Sequence, residues 1–220
     1  MEYNRPNFKK ANMKANEILV ASSTINQFPC AVKEIVKEWT DIKCTKFSVA
    51  HKHNVNIEAF GSEAAVIQAF EGRYIIFYNQ DDQITRVRFS ILHELGHYIL
   101  GHELRTKDIE IYGKEEVEAN CFAAQILMPE QIIRELQKRC VKITKTFLID
   151  KFKVSEEAAL RRLETLGKYK PEWRHEHEKI FDDTIIYKYS NFLDAIMLKK
   201  NKYNWFDDEV EMQKERDSWY

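Results

Sequence analysis

Residues 93 to 97 read His-Glu-Leu-Gly-His. On a helix, imidazoles four residues apart share one face, about 6 Å apart along the axis. Both can then reach a single tetrahedral Zn²⁺ at roughly 2.0–2.1 Å. Glu94 projects beside such a metal and can take a proton from the water that the metal activates. A metal and a base held in this relation make water a nucleophile at neutral pH, and peptide hydrolysis is the usual result.

The motif demands a helix, and the flanking residues supply one. After Gln80-Asp81-Asp82, apolar residues fall at Ile84, Val87, Ile91, Leu95, Tyr98 and Ile99, close to a 3.6-residue period. The pattern predicts a helix N-capped by Asp81 or Asp82 and stopped at Gly101. Its apolar stripe faces a core, with His93 and His97 on the flank. Gly96 weakens such a helix by about 1 kcal/mol unless close packing requires it.

A catalytic zinc needs a third protein ligand and one open position. Downstream, Glu115 to Met128 forms a second helical pattern, with Val117, Cys121, Ala124 and Met128 spaced for one buried face and Pro129 ending it. Glu115, Glu116 and Glu118 open it, where a helix N-terminus also favours negative charge for purely structural reasons. Glu116 and Asn120 are i,i+4 partners, so one could bind metal while the other orients a ligand histidine. Glu118 points about 200° away from Glu116, so only one of the two serves as ligand.

These motifs together resemble the ImmA/IrrE family of zinc metallopeptidases. The matching pieces are the strand-like run Arg73 to Asn79, Arg-x-Arg-Phe leading into His-Glu-Leu-Gly-His-Tyr-Ile-Leu-Gly-His, and Glu-x-x-Ala-Asn-x-Phe-Ala-Ala-x-Ile-Leu-Met-Pro. The resemblance covers roughly residues 12 to 168. It implies one Zn²⁺ held by His93, His97 and Glu116, with Glu94 as the base; Glu116 rather than Glu118 follows from its place four before Asn120. It also implies a zincin-like α+β fold, mostly helical, with a small sheet edging the active-site cleft. The implied substrate is a helix-turn-helix repressor of a phage or mobile element, cut at one site.

Composition sets the frame. At 220 residues, 44% hydrophobic and 31% charged, the chain suits a globular protein with a sizeable core. Lys and Arg (34) nearly cancel Asp and Glu (35), so bulk charge points to neither nucleic acid nor membrane. No apolar run approaches the ~20 residues that span a bilayer. The polar start and the scattered Cys30, Cys44, Cys121 and Cys140 are read as a cytoplasmic chain with reduced thiols.

Along the chain, residues 1–11 are expected to be flexible, 12–130 to form the metallopeptidase core, 131–168 a helical hairpin packed on it, and 169–220 an extension. Residues 12–27 and 30–40 are read as helices, the second with Val32, Ile35, Val36 and Trp39 on its buried face. Strands are expected at Phe47–Ala50, Ala64–Phe70 and Arg73–Tyr78, the last edging the cleft where an extended substrate could pair. Ile143 to Leu166 has a helix-turn-helix shape with Ser155 as the second N-cap. Because that helix opens on Glu156 and Glu157, it is read as a packing hairpin rather than a DNA reader, although Arg161 and Arg162 follow. In the tail, Thr184–Tyr189 is expected as a strand and Asn191–Lys200 as a short helix, with Trp173, Trp205 and Trp219 scattered among charges. His51 and His53, and His175 and His177, are read as surface histidines. His102, five residues after His97 and about 140° further round a continuing helix, falls outside the ligand set, but with Tyr98 and Tyr112 is a candidate to stabilise an oxyanion. The rival to the enzyme is a non-catalytic regulator that binds a repressor or DNA.

Overall fold

A computed structural model describes residues 5–53, 55–56, 64–70, 72–103, 109–168 and 176–198. Trp173, His175, Trp205 and Trp219 lie outside the described residues, as do the side chains of His51, His53 and His177. The architecture is α+β and zincin-like: helices surround a three-stranded mixed sheet. The helices are α1 (Phe8–Ala21), α2 (Val32–Trp39), α3 (Ile84–Leu100), α4 (Ile109–Leu127), α5 (Glu130–Lys138), α6 (Lys145–Phe152), α7 (Glu156–Lys168) and α8 (Glu176–Lys188), followed by helical residues 190–198. Among the described residues, no helix is long and apolar enough to cross a membrane.

The sheet order is β1 (Lys43–Lys46), β3 (Arg73–Tyr78), β2 (Ala65–Phe70). β3 runs parallel to β1, with Lys43 opposite Ile75, and antiparallel to β2, with Ala65 opposite Tyr78. β3 is therefore the central strand, and the expectation that it edges the cleft is corrected: its hydrogen-bonding groups are taken on both sides. β2 is the edge that faces α3. The strand expected at Phe47–Ala50 is a 3₁₀ helix, Phe47–His53, and the strand lies just upstream as β1. Phe47 and Ala50 both pack with Val66, Ile75 and Phe77. A three-residue spacing brings them to one side of a 3₁₀ turn, whereas a strand would put them on opposite faces.

The N-terminal helix starts earlier than its sequence pattern suggests. Asn7 Oδ1 accepts from Lys10 N at 2.9 Å and caps α1, and Ala11 is fully buried, so residues 8–11 belong to the helix rather than a flexible lead. One hydrophobic cluster runs from Ala11 in α1 through Ile91, Leu95, Phe122 and Ile126 to Ile185, Tyr189, Leu193 and Ile196. That last series corrects the strand expected at Thr184–Tyr189. The β-branched run suggested a strand, but the residues that bury recur every three or four positions and lie on one helical face against α1. Lys188 fixes the join by donating to the Leu19, Val20 and Ser22 carbonyls at the end of α1.

α3 and α4 share the largest helix–helix interface. Of the stripe read for α3, Val87, Ile91 and Leu95 are buried, but Ile84 and Tyr98 are exposed, and Leu92 and Leu100 take their places. Gln83, not Asp81 or Asp82, stands at the N-cap, and it makes no side-chain cap bond. α4 already includes Ile109, six residues before the expected start. Its buried face is Ala119, Phe122, Ala123 and Ile126, while Val117 is exposed and Cys121 only half-buried. The expected face lies on the opposite side of the helix, and of its members Met128, just past the helix end, is the one fully buried.

Candidate metal centre

At Gly96 the backbone of α3 comes close to α4. A Cβ there would stand 3.0 Å from the Phe122 ring and 3.3 Å from both Cα and O of Ala119. Only glycine lets the two helices come this near, and their approach carries the one-turn-upstream Glu116 against the histidines.

The structure brings His93, His97 and Glu116 together. Nε2 of His93 and Nε2 of His97 are 3.0 Å apart. Glu116 Oε2 is 3.3 Å from His93 Nε2, and its Oε1 is 3.3 Å from His97 Nε2. Ligand atoms at tetrahedral angles and roughly 2.0–2.1 Å from a common centre stand about 3.3 Å from one another. The two imidazole nitrogens thus face the two oxygens of Glu116 at spacings near that value, one donor atom from each residue lies within 4.8 Å of the others, and the donor set, two imidazoles and a carboxylate, suits zinc.

The electrostatics agree. Burial works against the Glu116 carboxylate, but the two imidazoles on its oxygens outweigh it and hold the group well below the usual carboxylate range. Burial likewise disfavours protonated His93, yet Glu116, Glu94 and Asn120 raise its proton affinity. The site thus favours positive charge at its centre. Glu116 and Glu118 lie in the interior of α4, so their charges are not the N-terminal dipole complement that an acidic helix start would have made them.

Glu94 lies beside the triangle, and its Oε2 accepts from Ile67 N of β2 at 2.9 Å. Burial pushes its carboxyl up, partly offset by His93, His97 and the Ile67 amide. A carboxylate with raised proton affinity is suited to accept a proton near neutral pH. His93 Nδ1 is 3.0 Å from Asn120 Oδ1. The amide oxygen can only accept, so Nδ1 donates to it and Nε2 is left to face Glu116.

Sequence reasoning missed the β2 edge. Asn79 N donates to Ala64 O at 2.8 Å, so by the alternation of antiparallel pairs Ala65, Ile67 and Ala69 turn their backbone groups away from β3. Ile67 N–H, bound to Glu94, confirms that direction. The adjoining cleft, about 550 Å³, is lined by Ile67, Gln68, Ala69, Tyr74, Tyr98 and His102 among others. Tyr74 and Tyr98 meet edge-to-face at 5.3 Å between ring centroids and form its aromatic wall. Tyr112 is half exposed on α4.

A zincin-like fold with this donor triangle defines a class of proteins built around a helix-borne His-Glu-x-x-His motif. The Peptidase_M78 family model, the IrrE N-terminal-like domain, matches residues 49–164, from the 3₁₀ helix through α7. The chain belongs to that family, as its motifs implied. It has no match among curated proteins.

Proposed function

We propose that the chain is a zinc-dependent endopeptidase in which His93, His97 and Glu116 hold the metal and Glu94 is the general base. The observation that carries this reading is the cluster of His93, His97 and Glu116 donor atoms, at spacings of 3.0 and 3.3 Å, formed beside the half-buried carboxylate of Glu94. Zinc held there supplies a Lewis acid for the scissile carbonyl and lowers the pKa of water. Glu94 accepts the proton of the attacking water and hands it to the departing amine nitrogen. His93 is oriented for its part by Asn120. The outward groups of Ala65 and Ala69 suit an extended polypeptide laid along β2, with a side chain against the Tyr74–Tyr98 wall.

The substrate we infer is a helix-turn-helix repressor of a phage or mobile element, cut at one site. The family resemblance supports it, and the open strand edge is the kind of site that takes an extended interdomain segment. The rival reading is a non-catalytic regulator that binds a repressor or DNA, and its DNA form draws little support from the α6–α7 hairpin. Ser155 caps α7, with Ala158 N donating to its Oγ at 3.2 Å. Arg162 is buried and donates to Met128 O and Gln125 Oε1. Arg161, on the surface, is paired with Glu157 at 2.8 Å.

The test is to incubate the zinc-loaded protein with the helix-turn-helix repressor encoded beside its gene and weigh the products by mass spectrometry. One new pair of fragments, absent with Glu94→Gln, is the expected result. Equal cleavage by the Glu94→Gln protein would refute the mechanism, and an intact repressor would refute the substrate.

A further inference from the structure

His97 is held differently from His93. α3 ends at Leu100, and Gly101 takes the left-handed conformation at φ 71°. Gly101 N donates to Tyr98 O at 3.2 Å and His102 N to His97 O at 3.0 Å. This pair of bonds is a Schellman motif, and it reverses the chain at the helix end. His102 therefore does not continue round the helix, as its spacing suggested, but folds back over His97. Its Nδ1 lies 3.0 Å from His97 Nδ1, and its Nε2 lies 3.1 Å from Glu118 Oε2. The other carboxylate oxygen, Oε1, accepts from Asn7 N at 2.7 Å. The side chains of His102 and Glu118 are only 5% and 14% exposed, so these bonds are sheltered from water.

We propose that His102 and Glu118 form a positioning pair that fixes the tautomer and ring orientation of His97, presenting its Nε2 lone pair to the metal triangle. The proposal rests on the metal-site reading above. The direction of each proton follows from the donor inventory. Glu118 only accepts, so His102 carries its proton on Nε2 and leaves Nδ1 as an acceptor. The proton between the two Nδ1 atoms then belongs to His97, and the Nε2 of a neutral His97 is bare. Asn120 does the same for His93 with a neutral amide, while His97 has a carboxylate at the far end of its chain. Such partners raise the basicity of the ligand and hold its ring in place.

The arrangement also gives Glu118 and His102 distinct roles. Glu118 is the carboxylate that supports a ligand from behind, on the opposite flank of α4 from Glu116. His102 lines the cleft, but both its ring nitrogens are engaged, so it is not the donor for an oxyanion.

The test compares the full-length wild type, His102→Phe and His102→Asn. Phe keeps the bulk of a ring without an acceptor, and Asn offers a carbonyl oxygen near the place of Nδ1. Zinc affinity is measured by chelator competition, imidazole tautomers by ¹⁵N NMR of the zinc-loaded protein, and folding by thermal melting of the metal-free protein. The wild type is expected to show His97 protonated on Nδ1 and His102 on Nε2. His102→Phe should bind zinc about 10- to 100-fold more weakly, with His102→Asn recovering part of the loss. A proton on His102 Nδ1, wild-type affinity in His102→Phe, or equal losses in both variants that track their melting temperatures would each overturn the proposal. A wild type that binds no zinc overturns the metal-site reading together with it, and the wild-type titration alone identifies that case.

Discussion

Gly96→Ala tests whether the α3–α4 approach sets the metal triangle. The added methyl would meet the Phe122 ring at 3.0 Å and the Ala119 backbone at 3.3 Å. Bringing the first of these from 3.0 to an ordinary 3.4 Å needs about 0.4 Å of movement. Phe122 is fully buried, so its ring is packed from behind and the movement passes to α4. Glu116, one turn before Ala119, moves with it. A metal site tolerates departures of about 0.2 Å in its ligand distances, so zinc affinity is expected to fall about 10-fold. Helix propensity favours Ala by up to about 1 kcal/mol and overpacking costs about 1–3 kcal/mol, so the metal-free protein changes by a net loss of about 0–2 kcal/mol. The control is Gly113→Ala, in the same α4, where a Cβ meets nothing within 4 Å. It should stabilise by about 0.4–1 kcal/mol and leave zinc binding alone. Chelator competition and denaturant melts read both variants. A Gly96→Ala protein with wild-type zinc affinity and raised stability would show that the helices do not meet as described.

Other expectations concern protons and buried partners. Zinc must displace the proton that His93 holds more tightly than an ordinary imidazole, so affinity should begin to fall at a pH above the ordinary imidazole value of about 6.5, measured by competition at graded pH. In the metal-free protein the same raised value contributes stability below the unfolded imidazole pKa, and melts should show it lost as pH rises through the folded one. Burial raises the Glu94 carboxyl, a penalty that appears as pH climbs past the unfolded carboxylate range, about 4.3. Metal-free Glu94→Gln should therefore be stabilised at neutral pH, and the gain should vanish in acid. Arg162→Met should destabilise by about 2–4 kcal/mol in denaturant titration, since the Met128 carbonyl and Gln125 lose a buried donor.

What the sequence disclosed depended on the range of the interaction. His93, Glu94 and His97 were legible because their relation is set inside one helix, whatever the fold. Asn120 was legible as the i,i+4 companion of Glu116 for the same reason. The contact of Glu116 with both histidines required α3 and α4 to meet at Gly96, and Gly96 was visible only as a helix-weakening residue with a packing reason to exist. His102 was misplaced because its spacing was counted along a helix that Gly101 had already ended. The signal lay in the Gly101-His102 pair, a left-handed cap followed by a folded-back residue. The edge role fell to β2 rather than β3 because strand order depends on β1, whose four residues Lys43–Lys46 carry little alternation of their own. In the tail, Ile185 and Ile186 have the side chains of a strand, but burial against α1 made Ile185, Tyr189 and Leu193 one face of a helix.

The most direct measurement of the central claim is X-ray absorption of the purified protein loaded with zinc, together with its metal content. One zinc per chain, bound by two imidazoles and oxygen ligands at roughly 2.0–2.1 Å, is the predicted result, with the metal lost in His97→Ala. No bound zinc, or a third imidazole in its coordination shell, would contradict the account.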